Sequence, residues 1–127
     1  MDYHFSRIVQ VTFADAIRKV TDELKKEGFG VITEIDVRET LKKKLNVEFR
    51  RYKILGACNP QFAYDALQAE DKIGTMLPCN IVVQEIAGGI EVSAVDPVAS
   101  MQSIQNPILA SIAEKVRAKL RTVIDSL

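Results

Sequence analysis

The sequence predicts an α+β protein with one antiparallel sheet and helices on one of its faces. Three observations carry this. Several short segments alternate apolar and polar residues, as half-buried strands do. Two long stretches repeat apolar residues at helical spacing. Gly88-Gly89 sits between two apolar-alternating runs, the signature of a tight β-hairpin.

The first segment, Tyr3 to Val11, alternates Tyr3, Phe5, Val9 and Val11 against His4, Ser6, Ile8 and Gln10, with Arg7 breaking the apolar side. Thr12-Phe13-Ala14-Asp15 has the form of a capping box and opens an amphipathic helix on Phe13, Ile17, Val20 and Leu24. Gly28 ends that helix, because glycine enters the left-handed conformation at little cost. Val31 to Ile35 reads as a second strand. Asp36-Val37-Arg38-Glu39 caps a short helix through Leu41 and Leu45. Val47 to Leu55 is a third strand, interrupted by Arg50 and Arg51.

Asn59-Pro60 places a capping side chain before a proline at the first helical position, where the missing N–H costs nothing. Phe62, Ala63, Ala66 and Leu67 form the apolar side of the helix that follows. Ile81 to Ile86 and Ile90 to Val95 are the hairpin strands. Asp96-Pro97 opens a short turn or helix. Asn106-Pro107 caps a long final helix whose stripe is Leu109, Ile112, Val116, Leu120, Val123 and Leu127. The two long helices are expected to cover one sheet face, leaving the other open. Gln10, Glu34, Arg51, Lys53, Gln84, Glu91 and Ser93 are the polar strand residues expected on that open face.

At 127 residues the chain holds one core and one domain, 1–127. Apolar residues make up 47% and charged residues 27%, the balance of a globular protein. The 17 basic residues match the 17 acidic ones, so net charge gives no drive toward nucleic acid or an acidic membrane. Lys42-Lys43-Lys44 with Arg50-Arg51 is a basic patch without interleaved aromatics, the composition of a solvated face. No signal-peptide h-region or membrane-length apolar run is present, and the expected compartment is cytoplasmic. There the two cysteines, Cys58 and Cys79, are expected to be reduced thiols. No Walker loop, dinucleotide fingerprint or nucleophile elbow occurs.

Gly28 to Asp36, Ile54-Leu55-Gly56-Ala57-Cys58-Asn59-Pro60, Ile73-Gly74 and Leu77-Pro78-Cys79-Asn80 together resemble the family known as domain of unknown function 302. Asp96-Pro97 and Asn106-Pro107 fit the same pattern, and the resemblance spans nearly the whole chain. It implies a TATA-binding-protein-like arrangement, strand-helix-four strands-helix, and a homodimer. It implies no DNA binding and brings no established activity.

In that topology the end of the third strand, the start of the fourth, the end of the fifth and the start of the first share one rim of the sheet. The rim then holds Cys58, Asn59, Pro60, Cys79, Asn80, Asp96 and His4. Four chemistries compete for it. The cysteines are small core residues beside helix caps; or they form a reversible disulfide, which needs Cα atoms within about 7 Å; or Cys58, Cys79 and His4, with Asp96, hold a thiophilic metal such as zinc; or the helix opened by Asn59-Pro60 binds an anion or small ligand. Glu34 and Asp36, two residues apart on a strand, are a further candidate carboxylate pair, and Asp36 is equally a helix cap. The leading expectation is a non-catalytic, homodimeric binding or accessory domain engaging a small ligand, thiol partner or metal at the Cys58/Cys79 rim. The alternative is a small thiol-dependent redox protein or enzyme using the same cysteines.

Overall fold

In a computed structural model describing residues 2–127, five strands form one antiparallel sheet in the order β1-β5-β4-β3-β2. The strands are β1 (His4–Val9), β2 (Gly30–Asp36), β3 (Tyr52–Cys58), β4 (Cys79–Ile86) and β5 (Gly89–Val95). The later four meander, and β1 returns to pair with β5, His4 opposite Val95. This is the α+β class expected from the sequence, and its order is compatible with the TATA-binding-protein-like arrangement.

The long helices α1 (Phe13–Lys26) and α5 (Pro107–Asp125) pack on the same face. Val20 and Leu24 of α1 and Leu120 and Val123 of α5 join Leu55, Ile81, Val83 and Val92 of the sheet in one buried cluster. Period 3.6 on the helices and period 2 on the strands bring these residues to a single layer. The caps form as the sequence predicts. Thr12 Oγ1 accepts the Asp15 N–H at 3.1 Å, and Asp36 Oδ1 accepts that of Glu39 at 2.9 Å. Gly28, at φ +84°, lies just past the end of α1. No helix among the described residues is long and apolar enough to cross a membrane.

Short helical segments follow β2, β3 and β5. The helix α2 (Val37–Leu45) buries none of its residues. α3 (Pro60–Ala69) continues into a 3-10 turn at Asp71–Met76 that the apolar pattern does not announce, and α4 (Pro97–Ser100) follows β5. The third strand also differs from expectation. It starts at Tyr52 rather than Val47 and runs on to Cys58. Its neighbour β2 ends at Asp36, opposite Lys53, and turns into α2. Residues before Tyr52 therefore have no partner on that side and leave the ladder. Beyond Leu55, Gly56 and Ala57 pair with both β2 and β4, and Cys58 pairs with β2 alone.

The open face needs a correction. Residues directly opposite one another share a face. Glu34 lies opposite the buried Leu55, and Lys53 lies opposite the buried Val83, so both belong to the helix-covered side. A bulge between Val31 and Thr33 inserts Ile32 and reverses the alternation of β2 from there on, which moves Glu34 across. At this edge the covering helices have run out, and Lys53 Nζ pairs with Glu34 at 2.6 Å. Gln10 lies beyond β1 and donates to the Gly88 carbonyl at 2.7 Å. Arg51 precedes β3 and stands 3.9 Å from Glu85. Of the seven expected residues, Gln84, Glu91 and Ser93 occupy the open face.

Candidate functional site

The ladder between β3 and β4 places Ala57 opposite Cys79, so Cys58, the next residue and the last of β3, lies beside Cys79 at the same end of the sheet, one step along the pleat. Both thiols are free. Cys79 faces the covered side with Ala57 and Ile81. It is buried, and burial first, then the neighbouring Cys58, pushes its thiol up to about 11. Cys58 is only partly buried and lies opposite Gly30 on the outer strand. The topology thus brings the two cysteines to one rim, as anticipated.

His4 shares that end of the sheet but not the site. It lies two strands from β4, roughly 10 Å at the usual strand spacing. Register puts it in line with Val95 and Asn80, on the open face, whereas Cys79 faces the helices. Its Nδ1 is 2.8 Å from Ser6 Oγ, which is in turn 2.7 Å from Ser93 Oγ. No group of three His, Cys, Asp or Glu side chains with metal-holding geometry occurs among the described residues. The expected Cys58, Cys79 and His4 ligand set is therefore not assembled: a shared rim does not overcome the pleat and the width of two strands.

Asn59 and Asp96 act as caps. Asn59 Oδ1 accepts the Phe62 N–H at 3.4 Å, and its Nδ2 donates to the Glu27 carbonyl at 3.4 Å, joining the end of α1 to the start of α3. Pro60 takes the first helical position. The N-terminus of α3 is thus partly closed by its own cap. Asp96 is 5% exposed, and its Oδ1 accepts the N–H groups of Val98 and Ala99. Its Oδ2 lies 3.2 Å from Arg117 Nε, close enough to neutralise the charge without an aligned hydrogen bond. Asn80 is exposed on the open face, opposite Gly56. Glu34 and Asp36 do share a side, as predicted, but Lys53 engages one and the cap of α2 the other. In the basic patch, Lys42 and Lys43 pair with Glu48 and Glu39, and Arg50 lies over the Phe49 ring at 4.4 Å.

Of the rim residues, Cys58, Asn59 and Cys79 line a common cavity of about 340 Å³, and Pro60, Asn80, Asp96 and His4 do not. It runs from Cys58, Pro78 and Cys79 at the sheet end beneath α3, between α3 and α5. Phe29, Phe62, Leu77, Met101, Leu109 and Ile112 supply much of its wall, and Ala63, Ala66 and Ala113 make room for it. Asn59 is the one side chain in its lining with strong hydrogen-bonding groups, and both ends of its amide are committed to backbone. Sequence reasoning found the rim residues but not this interior. Alanines at 63 and 66 on an otherwise apolar helix face were the available signal, since small side chains on a buried face leave space unless a neighbour fills it.

A second hollow, of about 420 Å³, lies on the open face among Tyr3, His4, Tyr52, Asn80, Gln84 and Glu91. Gln84 links Arg50 to Glu91, accepting from Arg50 Nε at 2.8 Å and donating to Glu91 at 3.1 Å.

The chain belongs to the family described as domain of unknown function DUF302, whose model matches residues 5–127. Its structure is similar to a crystal structure described as an uncharacterized conserved DUF302 protein from Bacillus stearothermophilus, with a TM-score of 0.92. The two share 29% sequence identity, and the match covers 98% of each chain. No match is found among curated proteins.

Proposed function

We propose that this chain is a non-catalytic binding domain that takes a small, uncharged, apolar molecule into the cavity at the Cys58/Cys79 rim. The observation that carries the reading is the cavity itself: about 340 Å³, walled by carbon and sulfur, with its one amide side chain already satisfied. Its size falls within the range of about 300–1,000 Å³ usual for small-molecule sites. Water gains little there, because it needs two or more polar partners and the wall offers almost none. An apolar ligand recovers both the dispersion contacts the gap forfeits and roughly 25 cal/mol for each Å² removed from water. A charged ligand loses hydration without compensation.

The thiol-dependent alternative has weaker support. A thiol with a pKa of about 11 is ionised in only about one molecule in ten thousand at pH 7, and the thiolate is the nucleophile. The only histidine lies on the other face of the sheet and supplies no base to Cys79.

The test is titration with the neutral probe N-phenyl-1-naphthylamine, read by fluorescence. Saturable binding at one site per chain is expected. Ala63→Phe, at a partly exposed lining position that accepts a larger side chain, should weaken it at least tenfold, and Gln84→Ala on the open face should leave it unchanged. Absence of saturable binding, or indifference to Ala63→Phe, would sink the proposal.

A further inference from the structure

The buried residues divide into two clusters, and the cavity is the gap between them. The main cluster spans the sheet, α1 and most of α5, with seventeen buried members. The satellite has three, Ala66 of α3, Ile73 of the 3-10 turn and Leu109 of α5, with Leu77, Met101, Ile104 and Ile112 packed around them, Ile112 of α5 touching both clusters. Phe29, Ala57 and Cys79 wall the cavity from the main cluster, while Ala66 and Leu109 wall it from the satellite. Two of the three satellite residues thus lie on one continuous segment, 60–76, which roofs the cavity.

We propose that α3 and the 3-10 turn are a lid that opens as one unit over the cavity, leaving the sheet and the two long helices in place. Its role in admitting a ligand rests on the binding reading above; the opening itself does not. α3 packs on α5, and only two side-chain hydrogen bonds tie the lid to the rest of the described chain. Asn106 Nδ2 donates to the Ala69 carbonyl at 2.8 Å, and Asn59 ties the lid's first turn to the Glu27 carbonyl. Phe62 packs against the main cluster and must leave it on opening. The segment is joined to β3 through Asn59 and to β4 through Leu77 and Pro78, both outside the helical run, so the chain can pivot there without breaking a ladder. Local opening is easiest where buried apolar contacts are few, and a cluster of three buried residues costs far less to separate than one of seventeen. The cavity lowers the cost further, because lid atoms that face empty space forfeit no packing when they move.

Amide hydrogen exchange of the intact chain, read by mass spectrometry without ligand, tests this. Amides in 60–76 should exchange together and at least tenfold faster than those of β4 and β5. Ile73→Ala should raise the lid's rate a further tenfold or more while β4 and β5 stay within twofold. Asn106→Asp, which keeps the oxygen that caps α5 beside Leu109 but loses the Nδ2 donor to the Ala69 carbonyl, should act in the same direction by a smaller factor. Exchange of 60–76 at the rate of β4 and β5 would overturn the lid. Adding N-phenyl-1-naphthylamine separates the two ideas: protection confined to 60–76 and the cavity wall supports both. Fast lid exchange with no saturable probe binding retains the lid and removes the ligand reading. Saturable binding with core-like protection of 60–76 removes the lid and retains the ligand.

Discussion

The rim cavity and the open-face hollow lie on opposite sides of the same sheet and differ in what lines them. The open-face hollow is the larger, about 420 Å³ against about 340 Å³ at the rim. Its polar side chains bond to one another: His4 to Ser6 to Ser93 from one side, Arg50 to Gln84 to Glu91 from the other. Water wets such a surface well, so a ligand has to displace partners as good as itself. The rim cavity has almost no polar capacity, and an apolar guest gains there what water cannot. Volume alone ranks the two in the wrong order. The chemistry of the wall decides.

That contrast can be broken or sharpened by substitution. The largest effect belongs to the covered face. Leu120 is fully buried between α5 and the sheet, and Leu120→Ala should cost about 3 kcal/mol in urea denaturation. A loss under about 1 kcal/mol would mean that the helix layer is not the main core.

The rim comes next. The pKa of Cys79 is raised by burial to about 11, so iodoacetamide at pH 8 should modify Cys79 in the folded protein at least a hundredfold more slowly than in urea. The sign for stability follows. Between the ordinary thiol value of 9.0 and about 11, the folded chain keeps a proton that the unfolded chain releases. Stability therefore falls as pH rises through that window, and Cys79→Ala should fall less steeply over it. Equal labelling of Cys79 in folded and unfolded protein would place it outside the dry wall.

The smallest effect belongs to the open face. Gln84→Ala removes two hydrogen bonds that water can replace, and should shift stability by less than about 0.5 kcal/mol. A loss comparable to that of Leu120→Ala would show that this face is a second core rather than a solvated surface.

Much of the fold is legible in the chain because its signals are local. Thr12, Asp36, Asn59, Asp96 and Asn106 each cap the helix that the sequence assigns to them. The hairpin that Gly88-Gly89 signals does form, with Ala87-Gly88 as its turn and Gly89, at φ +142°, opening β5. The rim is legible once the strand order is assumed, since strand ends then meet in a known way. What resists reading is the facing of individual side chains. One inserted residue, Ile32, moves Glu34 to the covered side, and nothing in the alternation of Val31 to Ile35 marks the bulge. His4 reaches the predicted end of the sheet, yet the pleat turns it away from the cysteines.

The sequence by itself therefore determined the elements, their caps and the α+β class, because each depends on periodicity or on a few neighbouring residues; the shared rim of Cys58 and Cys79 followed only with the strand order that the family resemblance implies. Only the tertiary structure decided that the space beside those cysteines is an apolar cavity. A void is a property of no residue. Ala63 and Ala66 leave room only because Phe29, Leu109 and Ile112, brought from distant parts of the chain, stop short of filling it.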